Sequence, residues 1–138
     1  MNAWVPHITV ACVIHRDGKY LMVEERDKFS GELVFNQAAG HLDDGESISD
    51  ADVRETLEET GWRVELTGVL CMALYRAPTN NITYYRTTFL ATPLERVENA
   101  LIDADIHAVH WLDYEEILAR SARMRSPVAL AVIERHRQ

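Results

Sequence analysis

Apolar and polar positions alternate along this chain in short blocks that change period several times. "HITVACVIH", residues 7 to 15, is β-branched and apolar, which reads as a strand. Asp17-Gly18 then stands where a tight hairpin turn needs positive φ, and "KYLMVEE" follows as the partner strand. "LVFNQAAG" is a further short apolar piece leading into an acidic segment. Beyond that segment, "RVELTGVLCMALYRA" and "ITYYRTTFLATPL" read as two long strands joined through Pro78, Asn80 and Asn81, because asparagine tolerates left-handed backbone. A last strand is expected from Ala108 to Leu112, then "DYEEILARSA" as a helix capped by Asp113. Ser126-Pro127 repeats the signal for a C-terminal helix running to about His136, with the serine as cap and the proline harmless in the first turn. No repeat, low-complexity tract or linker interrupts the pattern, which predicts one α+β domain over residues 1–138, a mixed sheet covered by helices.

The acidic segment, "GHLDDGESISDADVRETLEETGW", predicts a helix from about Ser47 or Ser49 to Thr60, with a serine cap, Asp50 and Asp52 near the positive end, and Gly61 at the C-cap. Each helical step turns about 100°, so Glu55, Glu58 and Glu59 fall within an arc of roughly 100°, while Val53, Leu57 and Thr60 gather on the other side as the expected core face. Ala51 falls among the glutamates' directions and is expected to leave a gap there. Arg54 stands four residues before Glu58 and four after Asp50, where its guanidinium can hold a carboxylate by paired hydrogen bonds. Upstream, Asp43, Asp44 and Gly45 reverse the chain, so the Gly40 carbonyl can point toward the helix. Clustered carboxylate and carbonyl oxygens are the ligands of hard divalent cations, which points to Mg²⁺, with Mn²⁺ as the alternative. An exposed helix face held in water is the competing reading.

Composition narrows the choice. The chain has 138 residues, 47% of them hydrophobic, enough for a core. With 22 acidic against 14 basic residues the formal net charge is -8, so a nucleic acid duplex or a membrane held by phosphate attraction is excluded as a partner, and an anionic ligand needs a metal. Cys12 and Cys71 both lie in apolar strand-like runs and read as buried thiols without a disulfide framework. The run from Ile8 to Ile14 is too short to span a membrane and carries no secretion signal, so a cytoplasmic protein, monomer or homodimer, is expected.

In order, Gly40, five residues, Glu46, seven residues, Arg54-Glu55, two residues, Glu58-Glu59, one residue and Gly61 resemble the signature box of the Nudix hydrolase family. The resemblance implies the Nudix fold, an α/β/α sandwich around a mixed sheet, and hydrolysis of a nucleoside diphosphate linked to a further group. It implies that Glu55, Glu58 and Glu59 are metal ligands together with the Gly40 carbonyl. Arg54 becomes an orienting partner, Glu46 a support, and Glu55 or Glu58 the group that activates water. "HITVACVIH", "FNQAAGHL" with its Asn36-Gln37 pair, "DIHAVHWLDYEEIL" and "MRSPVALAVI" resemble a bacterial phosphatase branch of the family. That branch implies release of phosphate from nucleoside tri- and diphosphates and cleavage of thiamine pyrophosphate or its pyrimidine pyrophosphate precursor. Ala38-Ala39 stand where many Nudix sequences have Pro-Gly, Thr56 takes a usually aliphatic position, and Trp62 ends the box with an aromatic ring.

The family often adds a carboxylate from outside the box. Asp103 and Asp105 are the candidates, with Glu98 behind them; Asp105 is preferred as a supporting residue. Tyr84 and Arg86 share one face of a strand, where they can stack a base and bind phosphate or form a surface cross-strand pair. His41, next to the ligand glycine, is either a phosphate contact or an ordinary loop histidine. The rival activities are hydrolysis of ADP-ribose or dinucleoside polyphosphates and non-catalytic nucleotide binding. An isomerase branch that shares the box is disfavoured because Cys12 and Cys71 look like core residues.

Overall fold

The computed structural model describes residues 3–138. Strands β1 (His7–Arg16), β2 (Lys19–Arg26), β3 (Leu33–Asn36) and β4 (Ala38–His41) precede helix α1 (Ile48–Thr60). Strands β5 (Trp62–Arg76), β6 (Thr83–Arg96) and β7 (Ile106–Leu112) follow, then α2 (Tyr114–Ala119), a 3-10 turn at Ser121–Arg123, and α3 (Pro127–His136). The β1-β2 turn places Asp17 at φ 52° and Gly18 at φ 77°, two successive positive values that match the twist of a tight hairpin. Asn81 turns the chain between β5 and β6 at φ 59°.

The strands lie in the order β3-β2-β1-β6-β5, with β4 also on β1 and β7 on β2. β1 runs parallel to β6 and antiparallel to β2 and β4, which makes the sheet mixed. β1 is its axis: Val10, Ala11, Cys12, Val13 and Ile14 are all buried, as a strand covered on both faces requires. Val10 meets Ala51 of α1 and Phe89, while Val13 packs with Phe35, Ile117, Val132 and Ile133 beneath α2 and α3. Helices therefore cover both faces, the α/β/α sandwich that the resemblance implies.

The sheet forks. β1 pairs with β4 from Thr9 to Cys12 but with β2 only at His15 and Arg16. β3 pairs with β2 instead, so "LVFNQAAG" is two strands in different halves of the sheet, divided at Gln37. Gln37 is buried at the division, where its amide donates to the Ala129 carbonyl at 2.7 Å and accepts from Arg86 at 2.7 Å.

Three expectations need correction. Val53 and Leu57 are only half-buried; the face of α1 that meets the sheet carries Ala51, Asp52, Thr56, Glu59 and Thr60. Ala51 leaves no gap beside the carboxylates, because it fills core space against Val10 and Phe89. Ser126 precedes α3 with extended backbone but makes no side-chain cap, so Pro127 alone marks that start. By contrast Ser47 caps α1 by accepting from the Asp50 N–H at 3.1 Å, and Asp113 forms a reciprocal capping box with Glu116.

Asp52 is fully buried, neither carboxyl oxygen makes a hydrogen bond, and the Cys12 thiol is its neighbour on β1. Burial pushes its pKa up to about 8. The folded state therefore keeps a proton that the unfolded chain releases near pH 4, and stability contributed by the neutral acid is lost as pH rises from about 4 through 8. Asp52→Asn should remove this slope: in urea unfolding between pH 5 and 8.5, the variant should gain on wild type by about 1 kcal/mol per pH unit. Parallel stability curves would contradict the assignment.

Candidate active site

The turn before α1 and the helix itself are joined by one side chain. Gly45 takes φ 80°, reversing the chain so that Glu46 lies beneath the Arg54 guanidinium. Arg54 Nε donates to Glu46 Oε2 at 2.7 Å and Nη2 to Oε1 at 2.9 Å, a two-pronged pair. Nη1 donates to Glu55 Oε1 at 3.0 Å and to Glu58 Oε2 at 3.1 Å. Nη2 also reaches the His41 carbonyl at 3.2 Å and lies 3.3 Å from the Asp43 carboxylate. The guanidinium holds the Glu46 carboxyl below its usual range, and Glu46 in turn raises the Arg54 pKa further. Asp50, the other carboxylate within helical reach, is not a partner of Arg54.

The three box glutamates occupy different environments. Glu58 is the most open, with 42% of its side chain exposed, against 13% for Glu55. Burial pushes the Glu55 carboxyl up, opposed by Arg54 and reinforced by Glu58 and Asp103. Glu59 points into the protein, where its Oε1 accepts from the Ala39 N–H at 2.8 Å. Burial pushes its pKa up to about 9, with Glu25, Glu55 and Asp103 adding to the rise.

Glu55, Glu58 and Asp103 each offer an oxygen, and the three atoms lie within 4.8 Å of one another. Asp103 reaches this position because its N–H donates to the Glu58 carbonyl at 2.9 Å, tying the loop before β7 to the helix. Asp105, the preferred residue of the pair, is instead ion-paired with Lys28 at 3.5 Å on the surface. Glu59 stands outside the trio, held by Ala39. Gly40 lies against one of these carboxylates: a Cβ there would overlap the Glu55 carboxyl group. Hard oxygen donors at this spacing, beside a backbone position that admits no side chain, fit a divalent cation.

Arg86, expected as an open phosphate contact, is 8% exposed. Its Nη2 donates to Gln37 and, at 3.3 Å, to Asn36, and its Nε has no partner; burial lowers its pKa to about 10. It braces the fork of the sheet. Tyr84 is half-buried and its hydroxyl accepts from Asn80 at 2.9 Å. Tyr84, His41 and His7 form a ring cluster, with centroids 5.7 to 6.1 Å apart and edges turned toward faces. Desolvation, with His7 nearby, lowers the His41 pKa. His7 carries no sequence signal beyond its place at the start of an apolar strand. Gln37 carries one: a polar pair, Asn36-Gln37, inside an otherwise apolar run.

The NUDIX domain matches residues 5–132 of this chain, which places the acidic trio and its arginine within a known family. The chain belongs to the Nudix family and is a phosphoanhydride hydrolase. It is similar to Phosphatase NudJ of Escherichia coli K12, 39% identical over 124 residues that cover 89% of this chain and 78% of that protein, with the same figures for Phosphatase NudJ of Shigella boydii. A solved NUDIX hydrolase from Nitrosomonas europaea superposes with a TM-score of 0.93 at 36% identity, covering 96% of this chain and 89% of that one.

Gly40→Ala should force the Glu55 carboxylate out of its place while leaving the helix intact. Titration with Mn²⁺ followed by paramagnetic resonance should show affinity weakened at least tenfold with an unchanged far-ultraviolet circular dichroism spectrum. Wild-type affinity in this variant would show that Gly40 and Glu55 do not share a metal.

Proposed function

We propose that the protein is a Mg²⁺-dependent hydrolase that releases phosphate from nucleoside tri- and diphosphates and cleaves thiamine pyrophosphate or its pyrimidine pyrophosphate precursor. Mn²⁺ is the substitute ion. The observation that carries the metal assignment is the convergence of Glu55, Glu58 and Asp103 on one point beside Gly40. The substrate preference is supported by similarity to Phosphatase NudJ over most of the chain. When bound, the metal supplies neutralisation of the diphosphate charge and acidification of water.

The chain's own groups do the remainder. Glu55 and Glu58 would hold the cation together with Asp103 and the Gly40 carbonyl, and Glu55 or Glu58 takes the proton of the attacking water. Arg54 fixes the rotamers of both, and Glu46 fixes Arg54, so the carboxylates need not reorganise at the moment of reaction. Glu59 is the internal member of the set and would serve as a further ligand. His41 and Tyr84 contact the substrate beside the metal, and Arg86 contributes positive charge from below. Cys12 and Cys71 are free thiols, which supports a reducing compartment, the cytoplasm. Among the described residues no helix is long and apolar enough to cross a membrane.

The test is purified protein with Mg²⁺ against nucleoside tri- and diphosphates, thiamine pyrophosphate, ADP-ribose and dinucleoside polyphosphates, with phosphorus products identified. Glu58→Gln and Glu59→Gln should each lower turnover by about a hundredfold or more with the fold intact. Unaltered rates in both variants at saturating Mg²⁺ would defeat the proposal, and preferential cleavage of ADP-ribose would replace its substrate class.

A further inference from the structure

Strand β1 runs between β4 and β6, and its first residue meets a ring on each. His7 pairs with Tyr84 on β6, while Thr9, two residues on, pairs with His41 on β4. Residues two apart on a strand share a face, so the three rings gather on one side of the sheet beside Gly40. The His7 ring lies 5.7 Å from His41 at 69° and 5.7 Å from Tyr84 at 82°. His41 and Tyr84 are themselves 6.1 Å apart at 66°. Every pair is edge to face, the arrangement in which the positive rim of one ring meets the negative face of the next.

The three rings are anchored unequally. Tyr84 is fixed from outside the cluster: its hydroxyl accepts from Asn80 Nδ2 at 2.9 Å. Asn80 Oδ1 in turn accepts from the Ile82 N–H at 2.9 Å, which locks the asparagine into the β5-β6 turn. The backbone of His41 is held too, its carbonyl accepting from Arg54. Its ring is exposed and, among the described residues, has no side-chain hydrogen bond. Packing on the other two rings is therefore what orients it. His7 fills the corner between the anchored tyrosine and the unanchored histidine.

We propose that His7 is a positioning residue of the hydrolase, the ring that braces His41 against Tyr84 so that both face the substrate beside the metal. The inference rests on the proposed contact of His41 and Tyr84 with substrate, and adds a residue outside the box that sets their orientation. This role requires a flat ring at position 7 and no hydrogen bond to the substrate. Phenylalanine therefore suffices there, whereas asparagine, which keeps a polar group without a ring, does not.

The test measures KM and kcat for a nucleoside diphosphate with Mg²⁺ in wild type, His7→Ala, His7→Asn and His7→Phe. KM should rise about fivefold in His7→Ala and His7→Asn with kcat within about twofold, and stay near wild type in His7→Phe. An unchanged KM in His7→Ala, a rise in His7→Phe equal to that in His7→Ala, or recovery by asparagine overturns the assignment. A readout without substrate separates it from the hydrolase reading: nuclear Overhauser contacts between the His41 and Tyr84 ring protons should persist in His7→Phe and vanish in His7→Ala. If wild type leaves the nucleotide uncleaved, the substrate reading fails on its own, and persistence of those contacts in His7→Ala overturns the role of His7.

Discussion

The site depends on one guanidinium. Glu46, Glu55 and Glu58 would repel one another across a few ångströms, at about 4 kcal/mol for a pair of unit charges 4 Å apart near a protein surface. Arg54 lies among all three and gives each a directed N–H bond. Its planar fork matches Glu46 with two bonds and still has a nitrogen for the helix carboxylates, which a lysine could not do. The eight-residue separation of Glu46 and Arg54 follows from the same geometry, because the loop must turn back on itself at Gly45 before the pair can close.

A helix organised in this way cannot bury an ordinary apolar stripe. α1 presents Asp52, Thr56 and Glu59 to the sheet, and these side chains meet different fates. Glu59 finds the Ala39 N–H at the start of β4, whereas Asp52 finds nothing and is held neutral. Adjacent positions on a single helix thus supply an open carboxylate, a half-buried one braced by arginine, and an internal one on a strand amide. Their differing desolvation divides otherwise identical side chains into distinct chemical roles.

The fork of the sheet is what lets the internal carboxylate exist. β4 departs from β3 at Gln37, and the space between the two halves is bridged by Gln37, Asn36 and Arg86 rather than by ladder hydrogen bonds. Arg86 consequently serves the scaffold first, held at the fork by Gln37 and Asn36. The same bridge ties β3 and β4 to the Ala129 carbonyl of α3, so this helix and the strand that carries Gly40 are held by a common set of side chains.

Local signals in the amino-acid sequence determined the elements and the chemistry of the box. The Asp17-Gly18 turn, the Ser47 and Asp113 caps, the Gly61 terminus and the spacing from Gly40 to Gly61 each act within a few residues, so chain geometry alone decides them. Tertiary structure decided what depends on distant partners. It selected Asp103 over Asp105, because only the former is tied by its N–H to the Glu58 carbonyl. It turned inward the face of α1 that carries Asp52, Thr56 and Glu59, a face that keeps the helical period without being apolar, with Ala51 seated against Val10 and Phe89. It buried Arg86 against the fork at Asn36 and Gln37, some fifty residues away along the chain. Hydrophobic period fixes the faces a segment possesses, but which face is buried is settled only when a second surface, assembled from remote parts of the chain, packs against it.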